Sequence, residues 1–342
     1  MSTGKLSKFF LGCAVCCGTL TGCGLFSSDE AEKPETAVTA ELPPPDEKLI
    51  ASDEKWGIKY SKDKRTLLKY NPALRVKKYV VPEGVTAIAD GAFMGCENLA
   101  EVTIPATVQT IGKRAFCNCR DLASVTLNDG LAAIGDGAFV RCRKLRTITI
   151  PGTVRTVGKA VFADCTNLAE VTILPGAAVI GESMFFKCRK LAKITIPGTV
   201  ENIGREAFRE CTNLTALTIQ SGVTTIGDSA FRECRRLGSV TIPGTVKTIG
   251  RRAFADCRDL TAATIQPGVT TIDAGAFARC ENLSGVTIPD SVTAIRDGAF
   301  SRCRKLATIV IPPGVTDIGK HAFQYCPCEE KVMEDHPDLY RM

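Results

Sequence analysis

The string Ala276-Phe277-Ala278-Arg279-Cys280-Glu281-Asn282-Leu283-Ser284-Gly285-Val286-Thr287-Ile288-Pro289 decides the fold, because its pattern returns through most of the chain. Phenylalanine recurs at Phe93, Phe116, Phe139, Phe162, Phe185, Phe208, Phe231, Phe254, Phe277, Phe300 and Phe323, each 23 residues after the last and with no insertion. A cysteine stands three residues after each, from Cys96 through Cys119 and Cys142 to Cys326, and a leucine three residues later still, from Leu99 to Leu306. A β-rich stretch follows, such as Val102-Thr103-Ile104-Pro105 or Ile194-Thr195-Ile196-Pro197, and then a second apolar pair such as Val108 and Ile111. Leu99, Val102 and Ile104 match the inward positions of a strand, with Thr103 between them facing out. The return segment, residues 112–119, carries Ala115, Phe116 and Cys119 at helical spacing, which predicts one or two helical or 3-10 turns. One coil cannot bury enough surface to offset its own ordering, so the coils must stack, with parallel strands and capped ends.

Caps are legible at both ends. Residues 56–78 break the period and read as two strands around Ser61-Lys62-Asp63-Lys64, which places Trp56, the only tryptophan, over the first coil. Residues 329–342 form a charged tail that shields the last coil, and the array itself spans residues 79–328. A second period is superposed on the first. Proline closes the strand at Pro105, Pro151, Pro197, Pro243 and Pro289, whereas Asn128, Leu174, Gln220 and Gln266 occupy the alternate coils and Pro312 is the exception, so the array grew by duplicating a 46-residue pair.

The amino terminus reads as an address. Lys5 and Lys8 precede an apolar run over residues 9–20, in the order of a secretory signal and too short to span a bilayer. The run ends in Leu20-Thr21-Gly22-Cys23, which resembles the bacterial lipobox. That resemblance implies cleavage after residue 22 and a diacylglycerol on Cys23, attaching the chain to a membrane through lipid alone; plain secretion with an incidental cysteine is the alternative. Residues 23–55, rich in Ser, Asp, Glu, Ala, Thr and Pro, hold too little apolar surface to fold and read as a disordered tether.

The period falls in the range of leucine-rich repeats, and the motif Ala-Phe-x-x-Cys-x-x-Leu-x-x-Val-Thr-Ile-Pro resembles the BspA-like, treponemal-type class of bacterial leucine-rich repeats over residues 79–328. The expected fold is α/β: a right-handed leucine-rich-repeat solenoid with one parallel β-strand per 23-residue coil and short helical or 3-10 returns. The resemblance implies a cell-surface or outer-membrane protein, in several members an adhesin for host matrix proteins or other cells. No ligand-binding motif of the class maps onto particular residues here.

Three periodic columns are candidates for function. The cysteine column invites metal binding, a disulfide stack or redox sensing, but a position that alternates with Phe and Leu is a core position, and eleven thiols cannot all pair among themselves. Buried reduced thiols are the favoured reading, with the off-column Cys117 and Cys328 expected to be more exposed. The outward threonines, of which Thr149, Thr172, Thr195, Thr218 and Thr241 are the central five, form a row that either supports strand pairing or meets a protein partner on a concave face; a lattice match to ice is a remote third reading. Arg143-Lys144, Arg189-Lys190, Arg235-Arg236 and Arg304-Lys305 follow the cysteine and form a rim that either attracts acidic proteins or sulfated sugars, or simply keeps a long array soluble.

Other function classes find little support. The net charge of +6 is spread along the chain rather than gathered in a patch, which argues against nucleic acid. Only two histidines, His321 and His336, are present, and almost every polar residue repeats one 23 residues away, whereas a catalytic constellation is singular. The expectation is a binding module with no catalytic residues, cofactor or metal, of undetermined oligomeric state. The leading reading is an adhesin, the runner-up a periplasmic scaffold or envelope-assembly factor, and an enzyme would require a non-repeated polar cluster in a cap.

Overall fold

The computed structural model describes residues 43–339, within a compact unit that runs Leu42–Met342. It is a parallel β-solenoid whose repeating unit is the 23-residue coil. The long strands pair in three parallel groups, Lys78–Val80 to Ser124–Thr126, Thr147–Ile150 to Ala216–Ile219 and Ser239–Ile242 to Gly285–Thr287, with residues beside their counterparts 23 positions on: Val80 beside Thr103, Thr149 beside Thr172, Thr195 beside Thr218, Thr241 beside Thr264. Val102, Ile148, Ile194 and Val240 point inward and are buried.

The expected solenoid is present, and two features of the coil differ from expectation. Each coil carries a second, two-residue strand, such as Thr110–Ile111 or Thr248–Ile249, which pairs in parallel with its copies in two runs that part between Thr156–Val157 and Val179–Ile180. The return segment is not helical. In the coil of Phe116, every other amide closes a local turn (Cys117 to Arg114 O at 3.0 Å, Cys119 to Phe116 O at 3.2 Å), while the amides between them reach the next coil (Arg114 to Asp136 O at 2.8 Å, Phe116 to Ala138 O at 2.7 Å, Asn118 to Val140 O at 3.0 Å). A helix would direct every amide along its own axis. Alternation requires left-handed backbone two residues before and after the phenylalanine, and Arg114 and Asn118 adopt φ of 52° and 59°. Left-handed backbone costs a non-glycine residue roughly 1–2 kcal/mol, and the hydrogen bonds between coils hold it in place.

Packing explains the conserved letters of the repeat. The phenylalanines stack ring on ring from Phe93 to Phe323, with neighbouring centroids 4.6 to 5.6 Å apart. Tyr70, 23 residues before Phe93, continues the stack at 4.9 Å. The 46-residue alternation resides in the turn after the long strand. In the proline-bearing coils a Thr or Ser hydroxyl joins two coils: Thr199 donates to Ala177 O at 3.1 Å and accepts from the Gly176 amide at 3.1 Å, and Thr245 and Ser291 repeat the arrangement. Gly176, Gly222 and Gly268 in the intervening coils have φ between 103° and 119°, a backbone that favours glycine and that presents the amide to the hydroxyl of the next coil.

The caps bring three corrections. Residues 47–55, assigned from composition to the tether, form helix α1 (Glu47–Lys55), N-capped by Asp46, whose Oδ1 accepts from the Leu49 amide at 3.0 Å. Only Ile50 and Asp53 of α1 are buried, so a mostly polar segment docks through one narrow stripe that composition hides. The hairpin of Lys59–Tyr60 and Thr66–Lys69 forms as expected, but Trp56 is 64% exposed and covers nothing; Ile50, Ile58, Leu67 and Tyr70 close the core instead. At the other end, helix α2 (Glu329–Asp335) buries Val332 over the last coil. The third correction concerns Cys117 and Cys328, expected to be exposed, which are both buried: Cys328 lies at the start of α2, where its amide donates to Leu306 O at 3.1 Å, and Cys117 lies on the turn face near Arg114 and Arg141.

Candidate functional site

The cysteine column has a structural explanation. From Cys119 to Cys326 each thiol donates to the carbonyl of the phenylalanine 26 residues earlier, one coil back, with Sγ to O distances of 3.0 to 3.3 Å. A small, weakly polar group that fits beside Phe and Leu and can donate one bond across the stack is what cysteine offers and alanine or valine does not. Burial pushes the thiols up, Cys96 to about 11 and Cys165 to about 12, which suppresses the thiolate that metal binding and redox reactivity need. All thirteen described cysteines are free, and among the described residues no group of His, Cys, Asp and Glu is arranged to hold a metal ion.

A singular polar cluster does exist, in the amino-terminal cap. Asp53 Oδ2 accepts from the hydroxyls of Tyr60 at 2.5 Å and Tyr79 at 2.6 Å, and the two hydroxyls lie 2.8 Å apart. Asp53 is 7% exposed, and burial together with the carboxylate holds both tyrosines far above the usual phenol range. The cluster faces inward and ties α1 to the first coil. Asp53 and Tyr60 stand outside the 23-residue period, and Tyr79, in register with Val102, departs from it in residue type, so periodicity did not identify the cluster.

The five central threonines are all exposed on one face of the long-strand sheet. An open groove of about 810 Å³ lies over Thr172 and Thr195, bounded by Pro175, Pro197 and Gln220. It also contains Glu170 and Lys193, neighbours in register across adjacent strands, which periodicity did not single out. The signal was there as a departure from pattern: the outward position two residues before the threonine is Ser, Thr, Ala or Gly in most coils and charged in few.

The basic rim divides in two. Arg143 lies 3.2 Å from Asp164, Lys144 2.9 Å from Asp121, Arg189 3.8 Å from Glu210 and Arg235 3.0 Å from Glu233, so half of it is matched by nearby acids. Lys190, Arg236, Arg304 and Lys305 are exposed and have no ion-pair partner among the described residues. Exposed pairs of this kind contribute about 0–1 kcal/mol each, so their effect is on charge presentation more than on stability. Cys23 lies outside the described residues.

The model of the family described as the BspA type leucine rich repeat region matches in six copies over residues 86–215 and 201–329. Among solved structures, the chain is similar to a leucine rich cell surface protein from Faecalibacterium prausnitzii (26% identity, 78% of this chain and 83% of that one, TM-score 0.46). It is also similar to a leucine-rich repeat protein from Bacteroides ovatus (23% identity, 83% and 91%, TM-score 0.47). The pneumococcal vaccine antigen PcpA shares the fold, at 20% identity, 77% and 72% coverage and a TM-score of 0.51. No curated protein matches significantly.

Proposed function

The chain belongs to the BspA-type leucine-rich-repeat family, and on that premise we propose that it is a non-catalytic protein-binding module of the bacterial envelope, tethered by lipid at Cys23 and serving as an adhesin for host matrix or cell-surface proteins. The observation that carries this reading is the exposed threonine face with its central groove. A periodic row of short polar side chains over a rigid sheet offers a broad surface that loses little entropy on binding, and Glu170 and Lys193, charged neighbours inside the groove, set register on it. The other charged pair of that column, Lys78 and Glu101, lies at the amino-terminal end and is closed on itself at 2.8 Å. The polar cluster at Asp53 is buried in the cap with both tyrosine hydroxyls bonded to its carboxylate, so it is engaged in holding α1.

The test is binding of the full chain to immobilised extracellular-matrix proteins, compared between the native protein and a Thr172→Arg/Thr195→Arg variant. Both positions point to solvent, so folding should be unaffected, and binding should fall at least tenfold. Undiminished binding with an unchanged circular dichroism spectrum would remove the threonine face from the reading. A periplasmic scaffold is the second reading, and protease treatment of intact cells separates the two: digestion supports display at the surface, protection until the envelope is opened supports the scaffold. Replacing Cys23 with alanine should abolish metabolic labelling by a fatty-acid analogue if the anchor is as proposed.

A further inference from the structure

The face formed by the turn segments departs from the repeat toward its carboxyl-terminal end. The residue after the phenylalanine is bulky in three consecutive coils, Phe186, Arg209 and Arg232, and then small in the next three, Ala255, Ala278 and Ser301. The backbone follows the same course through these coils, so the change in side-chain size opens a trough. It contains two hollows, of about 320 and 270 Å³, that share Arg252 and Ala278. Arg232, Arg251, Arg252 and Arg279 line them, along with His321 and two acids, Asp256 and Asp297.

The arginines are poorly satisfied within the protein. Arg251 and Arg252 have no ion-pair partner among the described residues, and Arg252 lies across the trough, its Cγ 3.2 Å from where a methyl on Gly275 would stand. Arg232 and Arg279 approach the same carboxylate, Asp256, only at 3.7 and 4.0 Å, Arg232 reaches Glu233 only at 3.8 Å, and Arg232 Nε is buried with no hydrogen-bond acceptor. One backbone donor is also left over. The amide two residues before the phenylalanine bonds to the next coil in nine successive coils, from Gly91 to Gly275, but that of Gly298, in the wall of the first hollow, has no acceptor among the described residues.

We propose that this trough binds a sulfated glycan segment, with the guanidinium groups of Arg232, Arg251, Arg252 and Arg279 receiving successive sulfate groups. The guanidinium fork matches the paired oxygens of a tetrahedral oxyanion, and its weak hydration lowers the cost of bringing it into contact. These four arginines belong to three successive coils and so extend over about 10 Å of the stack, a length suited to a chain with regularly repeated charge. The floor of Ala, Gly and Ser carries no large apolar side chain of the kind that anchors a protein interface, while a sugar ring can lie on it. The site is independent of the threonine face, and either can fail without the other.

The experiment uses the full chain and a heparin-derived hexasaccharide, measured by titration calorimetry at two salt concentrations, beside the desulfated hexasaccharide and an oligoglutamate peptide of equal charge. The sulfated sugar should bind, more weakly at high salt, and the other two should bind at least tenfold more weakly. Arg251→Ala/Arg252→Ala should lower the affinity at least tenfold, while Arg189→Ala/Arg235→Ala on the rim changes it less than twofold. Should the alanine variant fold poorly, Arg251→Lys/Arg252→Lys keeps the charge and loses the fork, and a loss of threefold or more is expected. Absence of binding, equal binding of the peptide or of the desulfated sugar, or an equal loss from the rim variant would each overturn the proposal.

Discussion

At the scale of the residue, each letter of the repeat answers a constraint imposed by its own copies. Phenylalanine recurs because a ring stacked between two identical rings, as Phe208 is between Phe185 and Phe231 at 5.2 Å on either side, is buried on both faces. Phe208→Ala should therefore cost about 3–5 kcal/mol, read in urea denaturation, and hydrogen exchange should show protection lost first in the coils either side of Phe208. A loss below about 1 kcal/mol, or one spread evenly along the array, would mean that the ring stack is not what joins the coils. The periodic positions were readable as core from spacing alone. Tyr70 was readable in principle, since it stands one period before Phe93, but the change of residue type and the shortened coil around it masked the match.

At the scale of the element, sequence patterns succeeded where an element buries several side chains in alternation and failed where it buries only one or two. The long strands follow from alternation, whereas the second strand is two residues long and shows only one inward side chain, Ile111 or Ile249, too little for a period-2 signal. The turn segment carries apolar residues at helical spacing for a different reason: successive turns also bring every third residue inward. Helix α1 depends on Ile50 and on the buried bonds of Asp53. Asp53→Ala removes the shared acceptor; the two hydroxyls, 2.8 Å apart, can then bond to each other, which leaves one of them short at about 1–3 kcal/mol. The expected result is accelerated hydrogen exchange in α1 and the Lys59–Tyr60 and Thr66–Lys69 hairpin, with the central coils unchanged; full protection of the cap in that variant would show that the cluster does not hold it.

At the scale of the whole array, the buried thiols act together. Their raised pKa means that the native state keeps protons the unfolded chain releases once the pH passes the ordinary thiol value of about 8.5. The stability they contribute is complete below that pH and is lost as the pH rises, by about 1.4 kcal/mol per pH unit for each thiol still protonated in the fold. With Cys188 and Cys234 held well above their usual range and Cys211 raised as well, the urea midpoint should fall steeply above roughly pH 9. Replacing Cys188, Cys211 and Cys234 with alanine should lower stability at neutral pH but make the fall of the unfolding free energy with pH shallower by about 4 kcal/mol per pH unit. An identical slope in the variant would show that alkaline unfolding has another cause.

The spacing of Phe, Cys and Leu by itself determined a stacked array of equal coils, because only stacking lets one apolar pattern be buried many times in the same register. It also determined the caps as places where the period ends, and the threonine row as an outward column. What the tertiary structure decided was everything that depends on which atoms of neighbouring coils face each other: turns rather than helix, thiols bonded to carbonyls one coil back, basic side chains paired or left free, a groove at Glu170 and Lys193, and a trough where three small residues succeed three large ones. A period fixes the positions that are alike; recognition arises where neighbours differ, and the consequence of a difference is set by distances that only the folded chain defines.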